Sequence, residues 1–209
     1  MKRVKFDRAA CDTLSDCVKE IESSTAAEVV VVVRARSGDY VYADLLFGAA
    51  ISLLGLLFLL FSPYTFHQVW VAIDVVLLFA LGSAISNRTS GIRRLLTSNK
   101  LRAGNVRTAA AAMFYEAGVA NTNAELGFLV YLSLFERRLE VISDRGILKA
   151  FPPAAWNEAL FDLHQAGRDP DVATFLQALK TLGDSLSKYL PATADNPDEL
   201  PNLPHFEFK

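Results

Sequence analysis

The chain has 209 residues and a net charge of −2, enough for one domain with an appendage. A charge so close to neutral implies no polyanion partner, and no nucleic-acid binding is expected. A mean hydropathy of +0.25 is high for a soluble domain, and one central stretch accounts for it.

Met1-Lys2-Arg3 has no apolar run behind it, which predicts no cleavable signal peptide. Residues 7 to 23 read as a helix, because Ala10, Leu14, Val18 and Ile21 recur at helical spacing. Cys11 and Cys17 are six apart, hence on different helix faces, and are expected to stay unpaired, as in a reducing compartment. Ser23, Ser24 and Thr25 break the pattern. Glu28 to Val33 is a β-branched run without a polar face, the mark of a strand covered on both sides.

From Leu45 to Asn87 the sole formal charge is Asp74. Ser62-Pro63-Tyr64 is a turn signal, and it divides the stretch into two apolar arms, Leu45 to Phe61 and Val69 to Ile85. Each arm, at roughly 17 residues, just reaches the length needed to cross a hydrocarbon core. Tyr42, Tyr64, Phe66 and Trp70 stand where an interfacial aromatic belt would fall. The arms lack the polar face of a soluble surface helix, so a transmembrane hairpin is expected over residues 42–88. The alternative is a helical hairpin buried in a soluble core. Asp74 either is functional, as intramembrane acids commonly are, or reaches the nearby interface or the partner arm.

Arg34 and Arg36 precede the first arm, and Arg88, Arg93, Arg94, Lys100 and Arg102 follow the second. The loop Ser62 to Gln68 has no Lys or Arg. Positive charge stays in the cytoplasm, so both termini are expected there. Ser90 to Leu101 either continues the second arm or lies along the head groups. It either binds anionic lipid or serves as the flank that fixes topology.

Arg107 to Ala117 is Ala-rich and helical, with Gly118 suited to its C-terminal cap. Gly127 to Leu134 and Arg138 to Ser143 read as paired strands, with Asp144-Arg145-Gly146 closing them. Pro152-Pro153 opens a helix to about Gln165, with Gly167 after it. Asp169-Pro170 caps a last helix that stops before Pro191. Residues 191–209 are Pro-rich and acidic, an extended tail with no helix or strand of its own.

Taken in order, the soluble pieces resemble the TPM-domain family. They are Glu22-Ser-Ser-Thr25-Ala-Ala-Glu28-Val-Val-Val, Ala112-Met-Phe114, Asn121-Thr122, Leu126-Gly-Phe-Leu-Val-Tyr-Leu-Ser133, Leu139-Glu-Val-Ile-Ser-Asp144-Arg-Gly-Ile147 and Trp156. The chain is most similar to the bacterial branch with a membrane hairpin after the first strand. The resemblance implies a small α/β/α sandwich with a mixed sheet, formed by residues 1–41 and 89–190, beside the two-helix transmembrane hairpin. It also implies a place at the bacterial inner (cytoplasmic) membrane. Members of the family are linked to assembly of membrane complexes, to calcium binding and to phosphatase activity.

Phosphate loops, Cys-x-x-Cys, His-x-x-x-His and Gly-x-Ser-x-Gly are absent from the sequence. His67, His164 and His205 are scattered and read as surface residues. A helical crossover favours parallel pairing of the first two strands, with the third antiparallel to the second. Thr25, Glu28, Asn121, Asn123, Glu125 and Asp144 then gather at one sheet edge. Their oxygens suit Ca2+ or Mg2+, and Glu28, Glu125 and Asp144 are the expected metal ligands. The competing reading is a rim of caps and turns. Asp39 and Glu136 fall at the opposite edge. The expected function is that of an accessory protein, held in the lipid bilayer, that binds an unidentified protein partner. The alternative is a divalent-metal-dependent phosphatase.

Overall fold

The structure, a computed structural model, describes residues 6, 8–122, 124–192, 200 and 205–207. The fold is mixed α/β and divides into two compact units. One comprises residues 1–37 and 103–209, the other Gly38–Arg102.

In the first unit, α1 (Arg8–Ser24) leads into β1 (Glu28–Arg34). Glu22 in the last turn of α1 fixes that entry, its Oε1 accepting the Val29 N–H at 3.0 Å. β2 (Gly127–Ser133) lies parallel to β1, with Glu28 opposite Gly127 and Arg34 opposite Ser133. β3 (Arg138–Ser143) runs antiparallel to β2, joined by a four-residue turn in which Arg137 takes a φ of 51°. The predicted parallel and antiparallel pairings are both present. Alternate β1 valines enter different clusters. Val29, Val31 and Val33 pack with apolar residues of α1, α7 (Pro153–Arg168) and α8 (Val172–Tyr189). Val30 and Val32 pack with Val106, Ala110, Met113 and Phe114 of α5 (Asn99–Glu116). Period-two alternation sends neighbours to opposite sheet faces, which is why the run needs no polar position.

Four expectations are corrected. The segment Asp144-Arg145-Gly146 does more than close a turn: it opens a short helix, α6 (Arg145–Ala150), capped by Asp144, which accepts the Arg145 N–H at 2.7 Å. The last helix is capped by Asp171 rather than Asp169. Gly167 lies inside α7 because the helix presses on β3 there, where an added Cβ would stand 2.6 Å from the Leu139 Cβ. The tail supplies a strand, β4 (His205–Glu207), parallel to β1 and completing the order β3-β2-β1-β4. The outer edge of β1 presents backbone donors and acceptors, and an extended tail satisfies them. Most of the tail span 195–203 lies outside the described residues.

The second unit holds α2 (Val41–Phe61), α3 (Gln68–Arg88) and α4 (Ser90–Leu96). Both long helices have the length and apolarity to cross a bilayer, and only 17% and 11% of their apolar windows is buried. That exposure is unlike the burial of a core helix in a soluble protein. The chain breaks at Thr89, where ψ is 94°, so the basic segment is a separate helix and does not continue α3. His67 caps α3, its Nδ1 accepting the Val69 N–H at 3.4 Å.

Candidate functional site

The backbone brings the predicted metal ligands to one sheet end. The Glu28 N–H donates to the Leu126 carbonyl at 3.1 Å, the Asp144 N–H to Gly127 at 2.9 Å and the Gly146 N–H to Glu125 at 3.0 Å. The side chains do not follow. Asp144 is occupied as the cap of α6. Glu125, with a φ of 55°, is exposed and stands 4.0 Å from Lys149 Nζ. Glu28 is only 5% exposed, with its carboxyl drawn into the fold. Thr25 ties the chain together, donating to the Leu190 carbonyl at 2.6 Å. Asn121 is exposed, and Asn123 lies outside the described residues. Among the described residues no three His, Cys, Asp or Glu side chains form a group able to hold a metal ion. As placed, the described side chains of this edge are drawn apart into caps, a surface ion pair and the fold interior.

The opposite end of the same strands carries a buried carboxylate. Glu136 is 2% exposed. Its Oε1 accepts the Ser37 N–H at 2.9 Å, and its Oε2 accepts the Ser133 hydroxyl. The Ser37 hydroxyl meets the Tyr131 hydroxyl at 2.9 Å. Burial pushes the Tyr131 phenol up from its usual value, opposed by the Ser37 hydrogen bond and by the nearby Arg34. Beyond the strands proper, Leu134 N–H donates to Arg34 O at 3.0 Å and Phe135 N–H to Ala35 O at 2.9 Å. The cluster is closed, and its polar atoms are spent on one another. It fixes the path of the chain as it leaves β1.

A second polar cluster lies within the hairpin unit. Asp44 and Arg93 are 7% and 9% exposed. Arg93 donates its Nε–H to Asp44 Oδ1 at 2.8 Å, and one Nη group reaches both Asp44 Oδ2 and Asn87 Oδ1. Ser86 donates to Asp44 Oδ1 at 2.7 Å. The hydrogen bond to Asp44 holds Arg93 above its already high usual value. This paired fork is the geometry in which a guanidinium and a carboxylate bind most strongly. It ties α4 to the base of α2 and α3.

Sequence reasoning treated Arg93 as one of a row of topology charges and gave Asp44 no role. One signal was present. Gly48-Ala-Ala-Ile-Ser52 and Gly82-Ser-Ala-Ile-Ser86 are near repeats with small residues four apart, the pattern by which apolar helices approach closely. A Cβ on Gly82 would lie 3.0 Å from Gly48 Cα, and one on Gly48 would lie 2.6 Å from the Phe79 carbonyl. Ser52 completes the contact by donating to the Val75 carbonyl at 2.9 Å.

Asp74 borders a groove of about 410 Å3 between α2 and α3, with Gly55, Phe58, Leu77, Leu78 and Leu81. It makes no hydrogen bond or ion pair among the described residues. The buried carboxylates of Asp44 and Glu136 are held by hydrogen bonds, whereas Asp74 faces an open cleft.

The fold is similar to that of BA42, a protein of the psychrophilic bacterium Bizionia argentinensis solved by NMR. The likeness has a TM-score of 0.57 over 97% of this chain and 96% of that one, at 14% identity. At such identity it speaks for the fold alone. No family model and no curated protein matches the chain.

Proposed function

We propose that this chain is a non-enzymatic accessory protein of the bacterial inner membrane, anchored by α2 and α3, whose α/β unit binds or helps assemble other membrane proteins. The observation that carries the reading is the hairpin. Its two spans expose a continuous apolar surface, with Phe58 71% and Phe61 84% exposed. A surface of that size on a soluble protein would mark an interaction face or an aggregation hazard, whereas a bilayer covers it at no cost. The Lys/Arg excess on both flanks favours cytoplasmic termini. The two helical clusters on alternate β1 positions support an α/β/α sandwich of the TPM type.

The test is mild solubilisation of native membranes after in-cell crosslinking, followed by recovery of the full chain. A reproducible stoichiometric membrane-protein partner is expected. Recovery of the chain alone would sink the reading. A phosphatase would instead turn over a generic phosphate ester with Mg2+ or Ca2+, and lose that turnover in Asp144→Ala.

A further inference from the structure

We propose that the Asp74 groove is an intramembrane docking site for one transmembrane helix of a partner protein, a helix that carries a Lys or Arg at the depth of Asp74. The proposal rests on the accessory reading above and specifies how the partner is held. Three observations converge on it. Asp74 sits six residues into α3, about 9 Å below its start at 1.5 Å per residue, so it lies beneath the interface. The groove beside it is walled by Gly55, Phe58, Leu77, Leu78 and Leu81, which offer apolar contact and no hydrogen-bonding partner. The other span acid, Asp44, is already held by Arg93 and Ser86.

Charge complementarity chooses the occupant. A carboxylate facing hydrocarbon is costly, and such residues pair with a cation or line a polar path. A second copy of this hairpin cannot supply the cation, because no Lys or Arg occurs from Leu45 to Asn87. Two copies would set carboxylate against carboxylate. A basic residue on a foreign helix neutralises Asp74, and its apolar neighbours fill the cleft.

The full chain, donor-labelled, is reconstituted in phosphatidylcholine vesicles with acceptor-labelled synthetic peptides. Each peptide is a leucine-rich helix of the same 21-residue length as α3. One carries a single Lys at the depth of Asp74, one carries Glu there and one is all-apolar. Energy transfer is expected from the Lys peptide at a peptide density at least about tenfold lower than from the apolar one. The preference should vanish in Asp74→Leu and fall in Asp74→Asn, which keeps the side-chain shape. Leu77→Trp, which narrows the cleft while leaving the carboxylate, should weaken it too. Equal transfer from all three peptides, or a preference that survives Asp74→Leu, would overturn the proposal. So would chain-to-chain transfer without peptide that Asp74→Leu removes, since a second copy would then be the occupant. A negative result together with an intact partner in the membrane crosslinking would overturn the groove and spare the accessory reading.

Discussion

Truncating Glu136 would leave two donors, the half-buried Ser37 N–H and the buried Ser133 hydroxyl, without acceptors. Glu136→Ala is expected to destabilise the α/β unit by about 2–4 kcal/mol, because each buried donor left unmet costs about 1–3 kcal/mol. Glu136→Gln should cost less. Trp156, packed edge-on against Phe128 and Phe151, reports the loss by fluorescence under denaturant once Trp70 is replaced by Phe. Tyr131 adds a pH dependence. Its phenol is raised in the folded protein by burial, so the native state holds that proton more tightly than the unfolded chain. The Tyr131 contribution should be level below the unfolded phenol value, near 10.0, and be lost as pH climbs through the raised folded value. Cys17, raised by burial from 9.0, begins the same decline at lower pH. Tyr131→Phe should therefore remove only the upper part of the slope. A slope unchanged by that substitution would contradict the assignment.

At the scale of elements, the Asp44–Arg93 pair makes the sharpest test. Removing one partner strands a buried charge, which costs about 3–5 kcal/mol, whereas removing both together costs less. Asp44→Ala is expected to free α4, so that trypsin cuts at Arg93 or Arg94 in detergent-solubilised protein, while Asp44→Leu with Arg93→Leu stays resistant. Gly167→Ala should cost about 1–3 kcal/mol, since its methyl would push into Leu139 of β3. These contacts also mark what the sequence could disclose. Periodicity exposed α1, both spans, β1, β2 and β3 closely, because each has a strong one-faced or all-apolar pattern. α6 was missed because six residues are too few to show a helical period. Gly167 read as a helix end because close approach to another element leaves no local trace. Strand pairing placed Glu28, Glu125 and Asp144 at one edge correctly in backbone. Where each carboxylate turns depends on local capping, burial and Lys149, none of which a strand pattern encodes. Asp44 and Arg93 are 49 residues apart, and no spacing rule joins them.

For the whole molecule, the proposed topology has a direct readout. In a chain with Cys11 and Cys17 replaced by Ser, Gln68→Cys should react with an impermeant thiol reagent on intact cells. Leu148→Cys, exposed on the α/β unit, should react only after the cells are opened. The reverse pattern would place the α/β unit outside and overturn both the orientation and the cytoplasmic reading.

The position of the hairpin within the chain also bears on how the protein is made. Roughly ninety residues separate Arg34 from Gly127, and at about 5–20 residues per second β1 waits several seconds for β2 to emerge from the ribosome. Meanwhile Val29 to Val33 are an unpaired, uncharged, β-prone run, the kind that seeds cross-β aggregates. The hairpin is synthesised within that interval. Its entry into the bilayer would fix the chain beside β1 and spare the later parallel pairing much of the entropy of closing a long free loop. On the proposed membrane reading, insertion becomes a step in folding the α/β unit. A chain whose arms are made too polar to insert should reach the insoluble fraction even though every residue of its sheet is intact.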